Sequence, residues 1–165
     1  MKQVTFKNAM AQIPTNVSIL GSLEAGNIRA CTISSLVSVD IVDPTVMFVL
    51  KNDSATLTNI KSRLNFSINV LSSNQSSLSE IYSKPRDKDA VLNNSSFWSM
   101  HAKGVPIIIG AHSYFLCEYL SSVQSNNATI VLARVNDVSE GNAQNPLLYF
   151  DRNYYGLTKS NSDAH

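Results

Sequence analysis

Short runs rich in Val, Ile, Leu, Phe and Tyr recur from one end of the chain to the other, each bounded by Gly, Pro, Asn or Ser. The runs at residues 17–20, 28–33, 46–50, 66–71, 106–110, 112–120, 129–138 and 146–150 read as β-strands, because β-branched and aromatic side chains pack well on a pleated surface. Gly21 and Gly26 punctuate the gap between the first two, which makes it a hairpin connection and the pairing antiparallel. Within 112–120, Tyr114, Leu116 and Glu118 alternate with Phe115, Cys117 and Tyr119, so neither face is plainly polar and both are expected to be covered. Roughly seven or eight strands, with helices only as insertions, predict a mainly β chain closing into an antiparallel barrel, complete or partly open.

The insertions have helical spacing. Phe6, Met10 and Ile13 stand at i, i+4 and i+7 along residues 5–13, and Pro14 stops that helix. Ser54 caps a short helix whose buried side is Leu57 and Ile60, and a further helix over 75–82 carries Leu78, Ile81 and Tyr82. Residues 84–104, with Pro85, a charge cluster over 86–89 and an Asn/Ser patch, are expected to form a mobile loop holding one short helix. A chain of 165 residues that is 44% hydrophobic has material for one continuous core, so a single domain over 1–158 with a polar, frayed tail at 159–165 is expected.

Charge and motif content exclude several functions. With 13 Lys and Arg against 12 Asp and Glu, the net charge of +1 supplies no field for a phosphodiester backbone, which argues against a nucleic-acid partner. No apolar run approaches the roughly 18 to 20 residues that span a bilayer, and the first ten residues lack a signal-peptide core, so a cytoplasmic protein with no membrane partner is expected. A charged fraction of only 15% favours a surface partly hidden in an oligomer. Cys31 and Cys117, distant in sequence and set among apolar neighbours, read as reduced, buried thiols. His101, His112 and His165 lack metal-ligand spacing, and the chain has no GxSxG elbow, phosphate-binding GxxxxGK[ST] loop or GxGxxG turn. An enzyme of this kind would draw its chemistry from a bound cofactor.

Two local features suit such a group. Ser54, Ala55 and Thr56 open a helix directly after Lys51, Asn52 and Asp53, and the free N–H groups of a helix start, beside a lysine, form an anion site. Simple capping by Ser54 accounts for the same residues. The stretch 31–40 alternates the hydroxyls of Thr32, Ser34, Ser35 and Ser38 with Ile33, Leu36, Val37 and Val39, as a strand able to hydrogen-bond a heteroaromatic edge or a phosphate would. Serine-rich strands without function share that pattern.

Taken in order, several segments resemble the flavin reductase-like family of FMN-binding split barrels, short-chain NAD(P)H:flavin oxidoreductases. Ile13-Pro14-Thr15-Asn16-Val17 is similar to the family's Phe-Pro-Thr-Gly-Val, with Asn where Gly is usual, a residue that tolerates positive φ. Thr32-Ile33-Ser34-Ser35, Asp43-Pro44, Ser54-Ala55-Thr56-Leu57, Phe66 to Leu71, Ser83-Lys84 and Pro146 to Phe150 with Tyr154 match further family segments. The resemblance implies an antiparallel Greek-key split β-barrel that dimerises with itself near the flavin. It places the isoalloxazine against Pro14, Thr15 and the strand Thr32, Ile33, Ser34 and Ser35, with Thr32 and nearby N–H groups at the ring edge, and the phosphate near Ser54 and Thr56. Lys51, Asn52 and Asn69 would line the groove, with Ser83 and Lys84 on the phosphate side.

The implied activity is reduction of FMN, or FAD, by NADH or NADPH, with electrons passed to free flavin or a partner monooxygenase; no residue serves as acid or base. The bare anion site favours FMN over FAD. One departure bears on the donor: where the family often has Gly-Asp-His, with the His placing the nicotinamide, this chain has Asn126-Asn127-Ala128. A non-catalytic FMN-binding carrier or sensor, or a structural dimer without cofactor, therefore stands beside the reductase reading.

Overall fold

The computed structural model describes residues 5–84, 95–140 and 145–157. With strands numbered along the chain, a seven-stranded antiparallel sheet runs in the order β3 (Asn27–Ile33), β2 (Ser18–Glu24), β6 (Asn65–Val70), β9 (Ser113–Gln124), β10 (Ala128–Glu140), β5 (Thr45–Lys51), β4 (Val37–Asp40). Strands β5 and β6 follow each other in sequence yet have the β9–β10 hairpin between them, which makes the connection a Greek-key crossover. Helix α2 (Ala55–Arg63) lies in that crossover and drops Leu57 and Ile60 into the core formed by Leu20, Ile33, Phe48, Phe66, Ile68 and Val131. The sheet curls until β3 lies beside β5 without a ladder. Ser35 bridges that seam: its Oγ accepts the Val49 N–H at 2.9 Å, a β5 edge group beyond the reach of the short β4 ladder.

A second core covers the opposite face of β2 and β6. Val17, Ile19 and Leu71 meet Leu78 and Tyr82 of α3 (Ser76–Ser83), Trp98 and Ile108 of the hairpin β7 (Trp98–Met100) and β8 (Pro106–Ile108), and Leu147 of β11 (Leu147–Phe150). Trp98 Nε1 donates to the Tyr82 hydroxyl at 2.7 Å. Strand β11 pairs with β12 (Asn153–Gly156) and with the two-residue β1 (Thr15–Asn16), giving a small satellite sheet.

The mainly β, antiparallel architecture agrees with the sequence reading, and the differences have local causes. The stretch 31–40 is not one strand: it breaks over 34–36, ending β3 and starting β4. The first hairpin turns on Ala25 and Gly26 alone, both at positive φ, so its strands run from Ser18↔Ile33 to Glu24↔Asn27 and consume the supposed loop. Register shifts at Leu132/Ala133 and Val135/Asp137 bulge the β9–β10 ladder, and Leu116 and Cys117 are consecutively buried, which explains the mixed alternation of 112–120. Helix α1 (Phe6–Ala11) buries none of its residues, so the Phe6, Met10 and Ile13 face is solvent-exposed. Of the expected loop over 84–104, residues 85–94 lie outside the described residues; the rest contains a 3-10 turn (Ser95–Phe97), as expected, and β7, which was not. The expected tail at 159–165 also lies outside them.

Candidate functional site

Several elements meet where β3 ends. From one side Asn16 of β1 donates its amide Nδ2 to the Leu36 carbonyl at 3.2 Å. From the other, the Ser35 hydroxyl holds the edge of β5. Further back on β3, the Cys31 thiol is hydrogen-bonded by Thr56 in the first turn of α2. These ties bring Pro14 to Asn16, the 34–36 link, the end of β5 and the start of α2 onto one rim. Asn16 is not at positive φ; it is a strand residue whose amide does the work, its Oδ1 also accepting the hydroxyl of buried Ser18 at 3.2 Å.

The α2 end of the rim carries the groups that an anion would need. Ser54 is the N-cap, its Oγ accepting the Leu57 N–H at 3.4 Å while its own N–H donates to the Lys51 carbonyl at 3.1 Å. The N–H groups of Ala55 and Thr56 have no carbonyl one turn back to reach. No acidic residue occupies the first turn, and exposed Lys51 forms no ion pair among the described residues. Ser34, the first residue of the link that follows β3, is exposed.

The remaining predicted residues are engaged with protein. Ile33 lies in the barrel core. The Thr32 hydroxyl donates to the Ser79 carbonyl of α3 at 2.9 Å, and Ser79 Oγ accepts the Tyr154 hydroxyl at 2.9 Å, so β3, α3 and β12 are fastened together. Thr56 is buried and turned toward Cys31. Burial pushes the Cys31 thiol up to about 11, with the Thr56 bond offsetting part of the effect, and pushes Cys117 up to about 12; both cysteines are free. Asn69 is wholly buried in the second core, donating to the Ile19 carbonyl at 3.0 Å and to Ser67 Oγ at 2.8 Å and accepting the Ile108 N–H at 2.9 Å. Asn52 binds the tip of the β9–β10 hairpin. Ser83 and Lys84 are exposed at the end of α3, with the Ser83 hydroxyl turned back to the Glu80 carbonyl.

The rim thus gathers Pro14, Thr15, Ser34, Ser35, Lys51 and Ser54, and sequence reasoning missed the parts of Asn16 and of buried Thr129, whose hydroxyl donates to Asn52 Oδ1 at 2.7 Å. The place of Asn16 at a usual glycine was the only signal for the first. A cavity of about 360 Å³ lined by Leu23, Arg63, Asn65, Lys103 and Pro106 lies at the far end of α2 from Ser54, roughly 13 Å of helix away, and belongs to a different part of the surface. Among the described residues no three His, Cys, Asp or Glu side chains gather as metal ligands, and no helix is long and apolar enough to cross a membrane.

A sequence profile of the flavin reductase-like domain matches residues 10–158. The chain is 32% identical over 155 residues to the NADH-dependent flavin reductase StyB of Pseudomonas fluorescens, covering 92% of this chain and 88% of that protein. It is 24% identical over 161 residues, covering 96% and 89%, to the reductase component of an FADH2-dependent resorcinol hydroxylase from a Rhizobium species. Among solved structures, the styrene monooxygenase flavin reductase of Pseudomonas putida superposes with a TM-score of 0.82 at 29% identity, covering 94% of this chain and 98% of that one. On the profile match and the agreement of fold, this chain is a member of the flavin reductase-like family.

Proposed function

We infer that the protein is an NADH-dependent flavin reductase that binds FMN on the rim between Ser34 and the start of α2. The observation that carries the reading is the convergence of the β3 end, held by Asn16–Leu36 and Ser35–Val49, with a helix start whose N–H groups are free. These residues suit FMN: the Ala55 and Thr56 N–H groups, Ser54 and Lys51 offer donors and positive charge for a monophosphate, and Pro14, Thr15 and Ser34 would lie on the ring side. FMN, when bound, supplies the redox chemistry, taking a hydride from NADH and releasing electrons to free flavin or a partner monooxygenase. The chain supplies alignment: no side chain on the rim is placed to exchange a proton, and backbone N–H groups near 34–36 would meet the ring edge.

Ala128 offers no side-chain donor to the nicotinamide, whereas Asn126 and Asn127 are exposed at the same hairpin tip and carry amides that would serve. NADH is an intracellular donor, so this reading puts the protein in the cytoplasm. A second copy is the expected cover for the outer face of β5, β10 and β9, where Val49, Ile130 and Val123 form one exposed apolar row beside the rim. The relatives named as oxygenase reductase components make a partner monooxygenase the expected acceptor.

Anaerobic rapid mixing of FMN-loaded protein with NADH tests the reading. Bleaching of the flavin's visible absorption much faster than for free FMN is expected. A yellow protein inert to NADH and NADPH would make it a carrier or sensor, and a colourless protein taking up no FMN would remove the cofactor altogether.

A further inference from the structure

Asn52 stands between Lys51 and the cap Ser54, yet its side chain faces away from the helix start. Its Nδ2 donates to the Ser125 carbonyl at 3.0 Å and the Asn126 carbonyl at 3.1 Å, while its Oδ1 accepts the Thr129 hydroxyl at 2.7 Å. The backbone adds a fourth link, from the Asn52 N–H to the Asn127 carbonyl at 3.3 Å. Thr129 is buried, and Lys51 pairs with Ala128 in the β5–β10 ladder. Both carbonyls held by the amide belong to the β9–β10 hairpin turn, closed by the Ser125 N–H on the Ala128 carbonyl at 2.7 Å. One amide thus ties a hairpin turn to the loop that enters α2. A side chain with both ends occupied in this way has no donor left for a ligand.

We propose that Asn52 is a positioning residue: it clamps the β9–β10 tip onto the α2 entry loop and thereby fixes the anion site at Ser54 and Lys51, without touching the cofactor. The loop from Lys51 to Ser54 has little else to hold it. Lys51 and Asp53 are exposed, and the Ser54 N–H closes back only onto Lys51. Releasing the clamp leaves the free N–H groups in place but lets their approach vary, and ligand binding then has to order them. The effect should fall on the phosphate and spare the ring. This inference rests on the reading of the α2 start as the FMN phosphate site.

The experiment compares FMN with riboflavin, which lacks the phosphate, in wild type, Asn52→Ala, Thr129→Val and the double variant. Dissociation constants come from flavin fluorescence, and backbone amide exchange is measured on the apoprotein. Wild type should prefer FMN. Asn52→Ala should cut that preference about tenfold, and Thr129→Val, which removes one arm of the clamp from beneath, should cut it about threefold. The double variant should be no worse than Asn52→Ala, and exchange should rise together at 51–54 and 125–128. Loss of preference in Asn52→Ala with Thr129→Val at the wild-type ratio would make Asn52 a direct ligand. Equal weakening of both flavins, or unchanged exchange in both segments, would also overturn the clamp. A wild type that binds neither flavin, or both alike, defeats the phosphate-site reading instead, while the exchange data still report on the clamp.

Discussion

Gly21 has no side chain because Trp98 occupies the space. A Cβ at Gly21 would sit 2.6 Å from Trp98 Cζ3 and 2.7 Å from Cη2, about 1 Å inside normal carbon contact. The residue is not at positive φ, so Gly21→Ala carries no backbone penalty, and the clash decides the outcome. Trp98 cannot retreat cheaply: it is buried, its Nε1 is bonded to the Tyr82 hydroxyl, and its ring meets Tyr82 edge-on at 5.8 Å. Overpacking costs roughly 1–3 kcal/mol, and losing the Tyr82 bond adds about 1 kcal/mol, while the stiffer unfolded chain returns about 0.5 kcal/mol. The net is about 1.5–3.5 kcal/mol of destabilisation, or roughly 3–14 °C in Tm for a chain of this size. Urea and thermal unfolding followed by circular dichroism measure it, and Trp98, the only tryptophan, reports local disturbance through its emission. The decisive comparison is the Trp98→Leu background, where a smaller side chain removes the collision with Trp98, leaves only Ser67 Oγ at 3.1 Å, and should make Gly21→Ala much less costly. An equal loss in both backgrounds would refute this reasoning.

Ser54→Ala should cost about 1 kcal/mol of stability as a lost cap and weaken FMN about tenfold, with Ser54→Thr restoring both; a fall in Tm at unchanged FMN affinity would leave Ser54 a cap alone. The buried thiols give a pH dependence. Cys31 and Cys117 are held up to about 11 and about 12, against 9.0 for an unburied thiol, so the unfolded chain ionises first. Their contribution is complete below pH 9 and is lost as pH rises toward 11–12, by about 1.4 kcal/mol per pH unit for each thiol. Urea unfolding at pH 8 and pH 10.5 should show a smaller alkaline loss in Cys117→Ala than in wild type, and identical slopes would contradict the assignment. Ile130→Lys together with Val49→Lys should convert a wild-type dimer to monomer in sedimentation velocity, and a wild type that is already monomeric at micromolar concentration would remove the apolar row as an interface.

The strands that share the main core were legible because their side chains alternate between two cores or between core and solvent. In β5, Val46, Phe48 and Leu50 point inward and Val49 outward. Helix α2 was legible from Ser54 and its Leu57–Ile60 spacing. The strands that escaped, β1, β7 and β12, are two to four residues long and exist only because a partner far along the chain offers an edge, as Thr15 finds Tyr149 and Trp98 finds Ile108. The candidate site was half legible for a related reason. Residue type indicates that a hydroxyl or amide can hydrogen-bond, but not toward which face it turns. Thr32 turns to α3 and Asn69 to the second core because the alternation of β3 and β6 sets their direction, and that alternation depends on a register the local sequence does not contain.

Those engaged side chains bear on how such a rim recognises a ligand. Asn16, Ser35, Thr32 and Asn52 all bind main-chain atoms of another element, so each spends its polar group on fixing backbone rather than on offering itself. Backbone N–H groups cannot be removed by substitution, and they point wherever the elements hold them. FMN affinity at the proposed site should therefore depend on the relative placement of β1, β3, β5 and α2 more than on the identity of exposed side chains. Substitutions at exposed Ser34 should be tolerated better than substitutions at Ser35, whose hydroxyl closes the barrel seam.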